Sequence, residues 1–221
     1  MKIILAGCTG FIGGEVLAQC RRKASITSIV VLTRSELPEE LTDDPKVVPV
    51  VVNDFLEYSD EVKDKLLGAS AAIWALRAAS YKVELEYPLA FANAMRPLAE
   101  KNRSFSYMHV SGVLAEKDQV KPLWFLQEGR RAKGLAEIRL REFAHDKTST
   151  NPWETYIARP SMVTPKVPGV LDSFGGWALG AIRVDQLAAA MIDVVERGAG
   201  QETFENADLV AHAKEIMTAN D

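Results

Sequence analysis

Gly7, Gly10 and Gly13 recur every third residue between a short apolar run, Lys2 to Ala6, and a helical pattern from Glu15 to Lys23. Strand, glycine turn, helix is the order that sets an anionic group against the free N–H groups of a first helical turn, with the helix dipole behind them. Each glycine has a steric task. Gly7 permits the tight turn out of the strand, Gly10 lets the backbone approach a ligand, and Gly13 lets the helix pack close to the strand. The first two glycines stand one residue further apart than in the usual dinucleotide fingerprint. A second reading therefore stays open, in which the glycines only end a strand.

The next candidate is a cation. Ser28 to Thr33 is an apolar run that reads as a second buried strand, and it ends at Arg34-Ser35. In dinucleotide-binding folds the residue at this position meets the adenosine ribose. An acid there binds the 2′-hydroxyl of NAD, and an arginine accommodates the 2′-phosphate of NADP. Arg34, with Thr33 and Ser35 as hydroxyl partners, points to NADP. The alternative is a solvated surface arginine.

The elements that must position these groups alternate along the chain. Strands are expected over Val47 to Val52, Ala71 to Leu76, Phe105 to Val110 and Trp153 to Ala158, with a short last one over Gln201 to Glu205. Helices are expected over Asp60 to Leu67, Glu84 to Lys101 (bent or split by Pro97), Pro122 to His145, Arg183 to Arg197 and Ala207 to Asn220. Glu36 to Lys46 reads as a polar connection. Continuous apolar strands alternating with helices imply an α/β protein, a doubly wound parallel sheet with helices on both faces, the Rossmann arrangement. Ligands of such sheets sit at the carboxyl ends of the strands, so Arg77 to Tyr81, after the fourth strand, should face a cofactor. The glycine- and proline-rich stretch 164–181 is expected to cover a ligand.

Composition narrows the classes. The 221 residues fit one domain, 1–221, and a net charge of −4 leaves no electrostatic footprint for nucleic acid. No apolar run is long enough to span a membrane, and the N-terminal run ends in glycines too early for a signal peptide. Two cysteines, Cys8 and Cys20, exclude a disulfide framework and a cysteine zinc site, and no metal is expected. A cytoplasmic protein, monomer or homodimer, is the expectation.

Taken together, these residues resemble the atypical short-chain dehydrogenase/reductases, compact NAD(P)-binding proteins, with small fungal members the nearest in pattern. The resemblance covers nearly the whole chain. It rests on Ala6 to Gly13, Arg34, Asp54, Val110-Ser111-Gly112, Arg131 to Gly134 with Glu137, Ala158 to Val163 and Arg183 to Ala188. It implies roles by position. Gly7, Thr9, Gly10, Phe11, Ile12 and Gly13 would hold the pyrophosphate, and Arg34 the 2′-phosphate. Asp54 and Phe55 would border the adenine. Ala75, Leu76 and Arg77 would line the cofactor, and Arg159, Pro160 and Ser161 would lie beside the nicotinamide. Ser111 would be the active-site hydroxyl, and Lys133 would contact the nicotinamide ribose.

One departure matters for chemistry. The family pattern is Tyr-x-x-x-Lys, in which the lysine lowers the tyrosine pKa so that the phenol passes a proton. Here Lys133 has Gly129 four residues before it, and no tyrosine lies between Val110 and Tyr156. Tyr81, or Ser111 acting through a water and Lys133, could replace the acid. His109, inside a strand, reads as a core histidine. A second departure is the long cation Arg77 where a small residue is usual; it narrows the pocket, adds an anion contact, or is simply solvated. Three functions follow. The first is an NADP-dependent oxidoreductase passing hydride to or from a small carbonyl, imine or alkene. The second is a non-catalytic NADP(H)-binding regulatory or redox-sensing protein. The third is an isomerase or cyclase using the same pocket.

Overall fold

Successive residues of the first strand, β1 (Lys2–Ala6), point to opposite faces, and both sets are apolar, so this strand needs a cover on each side. The computed structural model, which describes residues 1–78, 80–99, 104–146, 153–166 and 180–219, supplies both covers. β1 lies inside a seven-stranded sheet with β2 (Ser28–Thr33), β3 (Val47–Val51), β4 (Ala71–Trp74), β5 (Phe105–Val110), β6 (Trp153–Arg159) and β9 (Thr203–Glu205). Their order is β3-β2-β1-β4-β5-β6-β9, and every neighbouring pair is parallel. This is the doubly wound sheet expected. Strand order reverses between β1 and β4, so a crevice opens at their carboxyl ends.

Two cores sit on the two faces. Ile3 and Leu5 pack with α1 (Phe11–Arg22), α6 (Val184–Arg197) and α7 (Asn206–Ala219) on one side. Ile4 and Ala6 pack on the other with α3 (Asp60–Leu66), α4 (Tyr87–Ala99) and α5 (Gln127–Ala144). The second face is aromatic. Phe91 lies between Trp74 and Tyr107, at ring separations of 5.2 and 5.9 Å. No helix among the described residues is long and apolar enough to cross a membrane.

Several boundaries differ from the sequence reading. α1 begins at Phe11, straight after the glycine turn. A short helix, α2 (Glu39–Thr42), interrupts the connection expected over Glu36 to Lys46; none of its residues is buried, so no apolar face marks it. α5 begins at Gln127 rather than Pro122, because Leu126 takes a left-handed conformation, φ 49°, that a helix cannot continue. Pro97 does not split α4. It stands in the last turn described, where it removes one backbone bond only. The irregularity lies earlier, in a π-helical turn, Lys82–Glu86, closed by the bond from Tyr87 N–H to the Lys82 carbonyl. The edge strand β3 carries Pro49. A two-residue parallel pair, β7 (Val163–Thr164) with β8 (Ile182–Arg183), holds the two ends of the stretch expected to form a cover. Residues 167–179 of that stretch, Trp177 among them, lie outside the described residues, as do Ala79, Lys101 and Asn102.

Candidate functional site

The glycine turn is built as its spacing demands. Gly7 has φ +90°, and a Cβ there would stand 2.7 Å from the Ala75 carbonyl carbon, so β1 can turn beside the end of β4 only with glycine. At Gly13 a side chain would run into the Gly7 carbonyl, so α1 sits directly on the turn. Gly10 is the N-cap of α1 and has no side-chain cap, which leaves the first helical N–H groups facing outward.

They face a cleft of about 430 Å³. Thr9, Gly10, Phe11 and Ile12 line it from the start of α1, and Arg34 from the end of β2. Ala75, Leu76 and Arg77 line it from the end of β4, and Ser161 and Val163 from beyond β6. A side lobe of about 120 Å³ continues between Thr33, Arg34, Ser35 and Phe55. The Arg34 guanidinium makes no hydrogen bond or ion pair among the described residues, whereas the Thr33 hydroxyl is spent on the Ser35 carbonyl at 2.8 Å. Asp54 lines neither space. Its carboxylate accepts from the Leu56 N–H at 3.1 Å and from Lys82 at 3.3 Å, and these bonds, the Leu56 one first, hold it below the usual carboxylate range.

Beyond Arg77 and Ser161, which border both spaces, a second pocket of about 540 Å³ opens. Pro160 and Met162 form one wall, and Val113, Leu114 and Leu126 another. Its polar end is an ion pair the sequence reading missed: Lys133 donates to the Glu84 carboxylate, and the two side chains are 12% and 3% exposed. Glu84 also accepts from the Ala78 N–H at 3.3 Å. The π-helical turn carries Glu84 inward beside buried Leu85. Burial pushes the Lys133 ammonium below its ordinary pKa; Glu84 opposes that and Arg77 adds to it. A position for a side chain at Gly129 is open, with no atom within 4 Å of where a Cβ would be.

Three expectations are corrected here. Ser111 does not reach the pocket: it is fully buried, and its hydroxyl donates to Glu137 at 2.6 Å. Arg159 turns the same way. Its guanidinium donates to both Glu137 oxygens and to Glu205, which raises its pKa further above the ordinary arginine value. Glu137, itself fully buried, also draws Lys117 to 3.7 Å, so this cluster ties α5 to β5, β6 and β9. Tyr81 is 41% exposed at the start of the π-helical turn and lines neither space. Pro160 and Ser161 do line the site. The Ser161 N–H bonds Asn206 Oδ1 at 2.9 Å and its hydroxyl donates to the Gly180 carbonyl at 2.7 Å. His109 is a core residue, as read.

The sheet order, the glycine turn and the cleft at the switch point define a Rossmann-type α/β protein. Comparison with known proteins agrees. No family model matches the chain. The leucinostatins biosynthesis cluster protein T of Purpureocillium lilacinum is 33% identical over 181 residues, 74% of this chain and 65% of that protein, so the chain spans just under two thirds of that relative's length. Gre2 of Candida albicans, solved in complex with NADPH, is similar at a TM-score of 0.69 and 16% identity, over 93% of this chain and 77% of that one. A short chain dehydrogenases/reductase from Saccharomyces cerevisiae is similar at a TM-score of 0.67 and 15% identity, over 96% of this chain and 98% of that one. The family resembled in sequence is thus the one whose fold this chain shares.

Proposed function

We propose that the chain is an NADP(H)-dependent oxidoreductase of a single domain, acting on a small carbonyl, imine or activated alkene without the usual tyrosine. One observation carries this reading: three adjoining spaces, sharing Arg34 and Leu76 at one junction and Arg77 and Ser161 at the other, lead from an Arg34 with no partner among the described residues, over the open end of α1, to the pocket that ends on Glu84–Lys133. The residues fit the nucleotide, because an uncapped helix start meets a pyrophosphate and Arg34, without a partner among the described residues, meets a 2′-phosphate. NADPH, when bound, supplies the hydride. The chain supplies the rest. Glu84 holds the Lys133 ammonium at the pocket's inner end. Burial makes that ammonium a stronger acid than a free lysine, so Lys133 passes a proton to the substrate where tyrosine would have done so. The residual exposure of Lys133 lets water return the proton. The relative's name, a biosynthesis cluster protein, supports a small-molecule substrate. A cytoplasmic monomer or homodimer belongs to the same reading.

The test follows energy transfer from the four tryptophans to nicotinamide during titration. NADPH should bind more tightly than NADH, and Arg34→Ala should remove the difference. Failure of both nucleotides to bind would end the reading. Lys133→Ala should keep NADPH binding and lose turnover across a carbonyl and alkene panel. A second reading, a non-catalytic NADP(H)-binding regulatory or redox-sensing protein, is favoured by the open space at Gly129 together with the commitment of Ser111 to Glu137. It predicts NADPH binding with no oxidation by any compound in the panel.

A further inference from the structure

The 540 Å³ pocket holds more positive charge than its own carboxylate can balance. Arg77, Arg130 and Lys133 border it, against Glu84 alone. Glu84 is taken by Lys133. Arg130 donates to the Leu114 carbonyl at 2.9 Å and lies 5.0 Å over the Phe125 ring. Arg77 is different: it is exposed at the throat shared with the nucleotide cleft, and it has no hydrogen bond or ion pair among the described residues. Ser161 apart, the other side chains of the wall are apolar, and Val113, Leu114, Leu126 and Met162 are between 46% and 64% exposed. Large apolar side chains left open around a concavity mark a surface that something apolar covers.

We propose that this pocket takes a molecule with an apolar body and one carboxylate, and that Arg77 receives the carboxylate. A neutral apolar ligand closing the throat would strip water from the guanidinium and return nothing. A carboxylate returns charge-assisted, bidentate hydrogen bonds. A cationic ligand would meet the charges of Arg77 and Arg130, which Glu84, paired with Lys133, does not balance. The proposal rests on the oxidoreductase reading only in assigning the adjoining cleft to the nucleotide, and Arg34 already serves the phosphate at that cleft's far end.

The probes are 4-phenylbutanoate and its uncharged isostere 4-phenylbutanamide, titrated calorimetrically into the full chain with and without NADPH. The acid should bind about tenfold more tightly than the amide, the scale of a hydrogen-bonded charge. Measured without nucleotide, Arg77→Gln should bring the two level while leaving amide affinity unchanged, and Arg77→Lys should keep part of the preference. Arg77 is exposed, so neither change threatens folding; a thermal melt of each variant checks this. Equal binding of acid and amide, binding of neither at millimolar concentration, or a preference that survives Arg77→Gln would overturn the proposal. So would an Arg77→Gln variant that weakens NADPH and not the acid. Because the acid titration is also run without nucleotide, loss of NADPH binding alone would count against the oxidoreductase reading and not against this one.

Discussion

His109 shows how far a single side chain departs from its textual appearance as a titratable group. It is fully enclosed, neither ring nitrogen has a hydrogen-bond partner among the described residues, and burial, helped by the Lys133 charge, pushes its pKa down to about 3. Between that value and the ordinary 6.5, the unfolded chain binds a proton that the folded chain refuses. Stability therefore falls as pH drops below 6.5, by on the order of 5 kcal/mol over the whole window. His109→Phe should flatten this acid limb, which urea unfolding midpoints at pH 7, 6, 5 and 4 would read; an unchanged slope would refute the assignment. Part of the site was legible one residue at a time. The glycines and Arg34 carry their meaning locally, through a positive φ, a close approach and a charge at a strand end. Glu84 could not be read so, because its partner Lys133 stands 49 residues away. Ser111 and Arg159 were assigned by position, and position does not say that a buried Glu137 claims both.

α5 holds two glycines five residues apart with opposite surroundings. At Gly129 a Cβ would meet nothing, while at Gly134 it would run into the Glu116 carbonyl. Gly129→Ala should therefore stabilise the helix by roughly 0.5–1 kcal/mol, about 2 °C in Tm. Gly134→Ala should cost about 3 kcal/mol, roughly 10 °C, by forcing the 116–117 backbone away. Thermal melts of the two variants would show the opposite signs. Gly129→Tyr returns a phenol one turn before Lys133 into open space. On the oxidoreductase reading it should raise NADPH-dependent carbonyl reduction by on the order of a hundredfold. The order of the seven sheet strands and of the long helices was legible from apolar runs, since a two-sided sheet leaves continuous hydrophobic strands, whereas α2, with no buried residue, was not. Helix starts were not, because Leu126 in a left-handed conformation has no signature in the sequence. The β7–β8 pair, two residues a side, was too short to leave one.

Across the whole molecule, the two cores meet at the sheet, and the 430 Å³ cleft lies at the end where α1, β2 and β4 converge. A ligand held there bears on both faces at once, so binding should be visible as global stability. At a hundredfold excess over its dissociation constant, NADPH should add about 2.7 kcal/mol, roughly 8 °C in Tm. Arg34→Ala should lose most of that gain at the same concentration, as differential scanning fluorimetry would report. Pro49 acts at this scale too. The bond from Val52 N–H to the Thr33 carbonyl fixes which residues of β3 face β2, and alternation turns residue 49 outward. The outer edge of the sheet thus presents a ring with no donor where a neighbouring strand would need one. Intermolecular strand addition is disfavoured along that border, and Pro49→Val would remove this guard against fibrillar stacking.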